Sequence, residues 1–206
     1  MNIYRRVSKY KMMTTALIGW FSFWATYWIA ESLFPYDEES QKIKPSANVP
    51  VIVARNMIFS LPYSLMLWEL IPNMGIYIPD SPIARFLCSI LIMDAWFYFI
   101  HRLMHTRYFY FLHKQHHEFY KPYPLVAVYC SIFEALFCDV TAMGLGPALF
   151  KMQDLEIQIW MVAAALHSLK LHSSTAYGRE HNIHHRKNLC NFGLLSIFDR
   201  LLGTYQ

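Results

Sequence analysis

The stretch MMTTALIGWFSFWATYWIAESLF, from Met12 to Phe34, contains 23 residues, and its only formal charge is Glu31, near the end. An α-helix needs about 20 apolar residues to cross about 30 Å of hydrocarbon, so this stretch is long enough to span a bilayer. It is too long for the apolar core of a signal peptide and lacks a small-residue cleavage site. The sequence therefore predicts an integral membrane protein.

The composition agrees with a membrane location. Of the 206 residues, 55% are hydrophobic and only 16% are charged, whereas a typical soluble domain has about 25% charged residues. The four cysteines form no CxxC pair, and we interpret them as buried thiols rather than as a disulfide framework. The net charge of +4 is modest and no long basic stripe occurs, which argues against a nucleic-acid-binding protein.

Three further apolar stretches predict two transmembrane hairpins. Residues 49–71 would pair with residues 12–34, although Arg55 and Pro62 weaken this span. Residues 125–143 and 154–171 would form the second hairpin around the turn signal Gly144-Leu-Gly-Pro147.

The stretch Pro82–Ile100 is also apolar but carries Arg85 and Asp94. We expect it to form a tilted interfacial or re-entrant helix rather than a full crossing. Four basic residues precede the first span and three acidic residues follow it, which places the N-terminus on the cytoplasmic side. No strand-like alternation is sustained across several runs, so the predicted class is all-α.

The predicted architecture is an integral membrane helical bundle with two transmembrane hairpins and a cytosolic histidine-rich helical cap. Residues 1–81 would contain a basic arm and the first hairpin. Residues 82–206 would form the catalytic domain, with the second hairpin at about 125–171.

All ten histidines lie in two short windows. Five fall between His101 and His117, five fall between His167 and His185, and none occurs in the first hundred residues. Indiscriminate use in the core or at the surface would not confine one residue type in this way. The clustering indicates that these histidines share a function.

The spacing within the windows is typical of metal ligands. The chain contains HxxxH at 101–105 and HxxHH at both 113–117 and 181–185. On a helix, residues i, i+3 and i+4 lie on one face, so each box can present two or three imidazoles together. Eight imidazoles exceed what one ion can use but suit two ions, and neutral imidazole binds iron, zinc, copper and nickel. The residues therefore predict a dinuclear site with almost purely histidine ligands.

Nine histidines are the predicted ligands, because His172 ends an apolar segment and points back toward the boxes. They are His101, His105, His113, His116, His117, His172, His181, His184 and His185. The dinuclear centre itself is the predicted catalytic group, and we assign no separate acid or base. Both windows must face each other, so the chain between His117 and His172 must cross the bilayer an even number of times.

Three other residues are candidates for orienting a ligand imidazole. His167 lies off the helical face of His172 and is either an ordinary packed residue or a hydrogen-bond partner of a ligand. Asp94 and Glu134 stand in apolar stretches, where an unpaired charge is expensive. For these two residues, an ion pair with an arginine is an equally good interpretation.

The order and spacing of these motifs resemble the fatty acid hydroxylase/sterol desaturase superfamily of membrane histidine-box di-iron oxygenases. The resemblance runs from about Asp94 to Tyr205 and is nearest to the branch with sterol 4-methyl oxidases and cholesterol hydroxylases. Its motifs are Asp94-x3-Tyr98-x2-His101, the three boxes, Tyr129-x4-Glu134, His172-Ser173, Asn191-Phe192-Gly193 and Asp199-Arg200-Leu-x-Gly203-Thr204.

The resemblance implies two iron ions at the boxes, O2 as co-substrate, and hydroxylation or desaturation of a C–H bond in a sterol or fatty acyl lipid. It also implies electrons from NAD(P)H through a separate cytochrome b5 and its reductase, and the sequence contains no GxGxxG motif. An endoplasmic reticulum location with a cytosolic site and a role in lipid biosynthesis follow from the family alone. Ser131-Ile132, Glu180 and Phe198 depart from the branch pattern and leave the substrate open.

Two other functions fit a histidine-rich membrane protein. A zinc hydrolase is disfavoured because His117-Glu118 is followed by Phe-Tyr-Lys121 rather than by a second histidine, and because catalytic zinc uses three protein ligands. A metal transporter or sensor is disfavoured because transport sites usually lie near mid-membrane on broken helices, whereas these boxes lie beyond the apolar spans.

Overall fold

The computed structural model describes residues 3–37, 39, 42, 44–71 and 80–206, without the side chains of residues 3–9. Within these ranges every regular element is helical, which confirms the all-α class there. A π-helical turn, Glu134–Val140, leads directly into helix α5. The helices are α1 (Ile3–Ala30), α2 (Val49–Leu70), α3 (Pro82–Met104), α4 (Tyr110–His113), α5 (Thr141–Leu149), α6 (Asp154–Leu171), α7 (Arg179–Lys187) and α8 (Ile197–Leu202).

Helices α2 and α3 are the two described helices that are long and apolar enough to cross a membrane. Their starts follow from the local sequence, because Asn48 and Ser81 cap them and a proline stands in each first turn. The stretch that we expected to be interfacial or re-entrant is the continuous 23-residue helix α3. Neither α1 nor α6 meets the same test, so the two hairpins stay predictions.

Three charged groups within α2 and α3 bond inside the protein. Arg55 donates to the carbonyl oxygen of Cys130 at 2.7 Å, and Arg85 pairs with Glu156 at 2.5 Å. Asp94 accepts bonds from backbone N–H groups described below. The outward faces are apolar, since Val51, Ile58, Ile83, Leu87 and Leu91 are exposed. This arrangement suits helices that face hydrocarbon.

Residues 125–143 do not form the single predicted helix. Pro124–Val128 is a 3-10 turn, and the π turn and α5 follow it. The predicted turn at Gly144–Pro147 lies inside α5 instead. Pro147 lacks an N–H and so leaves the carbonyl of Met143 without its helical partner. The indole of Trp160 donates to that carbonyl at 2.8 Å, which explains why the helix continues through the proline.

Two glycines allow close helix packing. A Cβ atom at Gly146 would lie 2.7 Å from the Cα of Ser89, so only glycine lets α5 pack this tightly against α3. At Gly19, a Cβ would lie 2.9 Å from Cγ1 of Ile157, where α1 packs against α6. Helix α3 also contacts α4 and α8, and α6 contacts α7.

Candidate metal centre

Nine of the ten histidines come together at one end of the bundle, and their ligand atoms form two groups. Within each group these atoms all lie within 4.8 Å of one another. The groups adjoin, since the ring centroids of His117 and His185 are 4.6 Å apart. The larger group is His101, His105, His113, His117 and His184, and the smaller is His116, His172, His181 and His185.

The distances between Nε2 atoms match those between ligands of a common ion. Two nitrogens at about 2.0–2.1 Å from one ion, in octahedral or tetrahedral geometry, lie about 2.8–3.4 Å apart. In the larger group, the Nε2–Nε2 distances are 2.9 Å (His101–His113), 3.3 Å (His101–His105), 3.1 Å (His105–His184) and 3.2 Å (His117–His184). In the smaller group they are 3.3 Å (His116–His172), 3.0 Å (His172–His181) and 3.1 Å (His181–His185).

Each HxxHH box divides its histidines between the two groups. The histidines at i and i+4 stay together, as in the pairs 113/117 and 181/185, whereas the middle histidines His116 and His184 join the opposite group. We expected the box at 113–117 to lie on one helix. Instead, α4 ends at His113, and His116–Glu118 is a 3-10 turn. This exchange of middle histidines links the two groups.

Backbone carbonyl groups fix four of the imidazoles from behind. The Nδ1–carbonyl distances are 2.7 Å for His101 to Phe192, 2.7 Å for His184 to Cys190, 2.9 Å for His185 to Phe119, and 2.9 Å for His172 to Ser168. A carbonyl oxygen only accepts, so each Nδ1 carries the proton and each Nε2 presents a lone pair. Several lone pairs that converge at about 3 Å repel one another unless a cation lies between them. The donor set therefore fits metal ions at both groups.

A single carboxylate contacts a predicted ligand directly among the described residues. Glu134 Oε1 lies 2.8 Å from Nδ1 of His113, and both side chains are almost fully buried. Glu134 thus lies against a predicted ligand, and its role in orienting that imidazole stays a prediction. The arginine pair that we considered for it is not formed within the described residues.

Asp94 acts through a loop rather than on an imidazole. Its carboxylate accepts bonds from the backbone N–H groups of Leu195 at 2.6 Å and Phe198 at 3.0 Å. Asp199 accepts in the same way from Phe192 at 2.8 Å and Gly193 at 2.6 Å. This loop carries the carbonyl that orients His101, so the two aspartates position that predicted ligand.

Sequence reasoning missed Asp199 as a contributor to the site. It stands in the apolar tract Leu194-Leu-Ser-Ile-Phe-Asp199, so the criterion that selected Asp94 and Glu134 would also have selected it. Like Asp199, Gly193 belongs to the motifs that carry the family resemblance. A Cβ atom there would lie 2.9 Å from carboxylate oxygens of both Asp94 and Asp199, so a larger residue would break this clamp.

His167 lies outside both groups. Its Nδ1 is 2.7 Å from the hydroxyl of Tyr177, and its Nε2 is 3.2 Å from the carbonyl oxygen of Leu194. Both ring nitrogens are thus engaged in packing the C-terminal segment against α6. The ordinary structural interpretation of this histidine fits the geometry.

Burial keeps the histidines neutral. It lowers the pKa of His105 to about 3 and the pKa values of His172 and His184 to about 4. Burial and the neighbouring imidazoles also lower the pKa values of His116, His181 and His185. At neutral pH the Nε2 lone pairs are therefore free for a metal ion rather than occupied by protons.

Acid is expected to destabilise the metal-free protein. Histidine in the unfolded chain binds a proton near pH 6.5, whereas His172 and His184 in the folded chain stay neutral until about pH 4. The unfolded state therefore binds more protons between these values, and stability falls as pH falls. Protonation of these two residues lowers the free energy of unfolding by up to about 3 kcal/mol for each pH unit. Thermal unfolding of the detergent-solubilised protein at pH 7.5, 6.5 and 5.5 measures it, and a constant midpoint would contradict buried neutral imidazoles.

The fold and the site define a class of protein in which the described elements are helical and two adjoining groups of histidines have metal-binding geometry. The fatty acid hydroxylase family matches residues 86–204, which is more than half of the chain. The chain therefore belongs to the fatty acid hydroxylase family, which confirms the resemblance seen in the sequence.

The chain is also similar to enzymes from plants and animals. Very-long-chain aldehyde decarbonylase GL1-9 of Oryza sativa subsp. indica is 27% identical over 196 residues, covering 82% of this chain and 74% of that protein. Methylsterol monooxygenase 1 of Gallus gallus is 28% identical, with 71% and 51% covered. Sphinganine C4-monooxygenase 2 of Arabidopsis thaliana is 28% identical, with 59% and 54% covered. The chain spans about half the length of the latter two. No solved structure matches it significantly.

Proposed function

We propose that this protein is a membrane-bound di-iron oxygenase that hydroxylates or desaturates an unactivated C–H bond of a lipid. The observation that carries the proposal is the pair of adjoining histidine groups, whose buried Nε2 lone pairs converge at distances that suit two metal ions. Membership of the fatty acid hydroxylase family supports iron as the metal.

The chain's own residues would hold, orient and shield the ions. The larger group would bind one ion and the smaller group the other, and the carbonyl groups behind His101, His172, His184 and His185 would keep their rings in place. Iron bound there supplies the activation of O2 for attack on a C–H bond. The burial of the ligands keeps bulk water away from the reaction, which limits side reactions.

The proposed substrate is supported by the relatives, and the proposed electron donor by the family resemblance. The relatives named above include a methylsterol monooxygenase and a sphinganine monooxygenase, which supports a lipid substrate. Electrons would come from NAD(P)H through a separate cytochrome b5 and its reductase. The basic residues Lys114, Arg179 and Arg186 lie close to the histidine boxes in sequence and would dock this acidic donor. Helices α2 and α3 would anchor the enzyme in the endoplasmic reticulum with the site on the cytosolic side.

The test combines metal analysis with isotope labelling. Membranes from a host that expresses the chain are incubated under ¹⁸O₂ with NADPH, and their lipids are compared by mass spectrometry with those of the empty host. We expect two irons per purified chain and a lipid that either gains one ¹⁸O atom or loses two hydrogens. Oxygen-dependent turnover must stop under nitrogen. A zinc-only preparation that remains fully active under nitrogen would overturn the proposal in favour of a hydrolase.

A further inference from the structure

An exposed apolar ridge on α3 reaches the level of the metal centre. Its side chains follow one another at steps of four residues, with one step of eight: Ile83, Leu87, Leu91, Phe99 and Leu103. Residues four apart form a ridge that winds along a helix. From Ile83 to Leu103 the helix rises about 30 Å, which is about the thickness of the hydrocarbon layer of a bilayer. A hydrocarbon layer that covers this ridge therefore ends near Leu103, two residues before the predicted ligand His105.

The chain that follows α3 combines exposed aromatic side chains with basic ones, and we call residues 102–111 the interfacial segment. Tyr108, Phe109 and Phe111 expose 66%, 40% and 63% of their surface. Arg107 stacks on Tyr108, with its guanidinium carbon 4.5 Å from the ring centroid. Arg102, in the last turn of α3, is also exposed. This combination is typical of segments that lie at the boundary between hydrocarbon and water.

Short turns fix the interfacial segment beside the metal centre. The N–H of Thr106 donates to the carbonyl of Leu103 at 3.0 Å, and the N–H of Tyr110 donates to the carbonyl of Thr106 at 3.0 Å. The ring centroid of Tyr110 lies 5.9 Å from that of His105 and 6.3 Å from that of His117. Tyr110 thus contacts the larger histidine group, while the aromatic residues on either side of it face outward.

The positive charge of the interfacial segment is not balanced by acidic residues. The sequence contains no aspartate or glutamate at positions 95–117. Neither arginine of the segment forms an ion pair within the described residues, and Arg102 donates to the hydroxyl of Tyr98 at 2.6 Å. Lys121, at the same end of the bundle, differs because it pairs with Asp37 at 2.9 Å. The segment therefore suits an anionic partner.

We propose that the interfacial segment binds the anionic headgroups of the bilayer around α3. The rings of Tyr108 and Phe111 lie at the edge of the hydrocarbon, and Arg102 and Arg107 bond to lipid phosphates. A lipid surface fits this segment better than an acidic protein does, because the segment directly continues the apolar ridge of α3. Anionic lipids are typical of the cytoplasmic leaflet, which agrees with the side proposed above for the site. This binding requires α3 to cross the membrane but depends on neither a bound metal nor a particular reaction.

Hydrogen exchange in lipid nanodiscs tests this binding. The full chain is placed in nanodiscs of phosphatidylcholine alone and in nanodiscs with a rising fraction of phosphatidylserine. Mass spectrometry then follows the exchange of the backbone amides of residues 106–112. We expect phosphatidylserine to slow this exchange several-fold, because a bound headgroup stabilises the closed turns. High salt should reverse the effect, because it screens charges at the surface.

Matched variants separate the charged contacts from the apolar ones. Arg107→Gln is expected to need about five times more phosphatidylserine for the same protection, whereas Arg186→Gln, which changes an exposed arginine of α7, should behave as the wild type. Phe111→Ser should weaken protection in both kinds of nanodisc, and Leu189→Ser, at an exposed position outside the segment, should not. The midpoint of thermal unfolding reports whether each variant folds.

The comparison of the two lipids in the wild-type chain decides the question even if a variant fails to fold. Equal exchange in both kinds of nanodisc would overturn the proposal. A phosphatidylserine effect that persists in Arg107→Gln, or is lost equally in Arg186→Gln, would also overturn it. Exchange that slows with added polyglutamate but not with phosphatidylserine would assign the segment to an acidic protein instead. A chain without iron or oxygen uptake would refute the proposed function and leave this result unchanged.

Discussion

Replacing His116 by alanine is expected to lower the metal content from two ions per chain to about one and to abolish oxygen-dependent turnover. The smaller group contains four histidines, so the variant keeps three of them. His116 also links the box at 113–117 to the smaller group, since its Nε2 lies 3.3 Å from that of His172. The chain should still insert into membranes, because His116 lies outside α2 and α3. Elemental analysis and the ¹⁸O assay measure both effects.

Two matched variants sharpen this prediction. His105→Ala leaves four histidines in the larger group, so we expect it to retain more metal than His116→Ala. His167→Ala removes a histidine that contacts Tyr177 instead of the two groups, and it should keep both ions. Full activity in His116→Ala, or equal loss of metal in His167→Ala, would refute the assignment of the ligands.

Replacing Asp94 by alanine is expected to cost several kcal/mol of stability and to weaken metal binding about 10–100-fold. The substitution leaves the N–H groups of Leu195 and Phe198 without their acceptor, and each buried unsatisfied group costs about 1–3 kcal/mol. It also releases the loop whose carbonyl at Phe192 holds His101. Loss of such an indirect partner typically lowers metal affinity by about this factor. Thermal unfolding and iron retention against a chelator measure the two effects separately.

The conservative variant and a surface control test whether the loop is the cause. Asp94→Asn keeps one acceptor oxygen but turns an amide N–H₂ toward a backbone N–H, so we expect an intermediate loss of stability. Asp37→Ala removes an exposed carboxylate. It should change neither the free energy of unfolding nor the free energy of metal binding by more than about 0.5 kcal/mol. Wild-type iron retention in Asp94→Ala would show that the clamp does not position His101.

Much of the site was predictable because it depends on local geometry. The helical repeat brings residues i and i+4 together, so HxxxH at 101–105 predicts a pair of ligands for one ion, and both residues do lie in the larger group. The middle histidine of each HxxHH box was not predictable in this way. Which group it joins depends on how a second helix packs against the box. His184 is an example, because its Nε2 lies 3.1 Å from that of His105 at the end of α3.

The helical boundaries were less predictable where proline and glycine lie inside a helix. Gly144-Leu-Gly-Pro147 is typical of a turn, yet α5 continues through it. The reason is a long-range contact, because Trp160 satisfies the carbonyl that Pro147 leaves open. No local pattern in residues 144–147 indicates that an indole from another helix will supply this bond.

The amino-acid sequence by itself determined the helical class, the histidine windows and the i, i+4 pairs, since hydrophobic content and helical pitch act over a few residues. The tertiary structure decided how nine imidazoles divide into two groups, which carbonyl groups hold them, and how Asp94 and Asp199 hold the loop behind His101. These features join residues far apart in the chain, as His101 joins Phe192 across 91 positions. Only the packing of the helices brings such residues into contact.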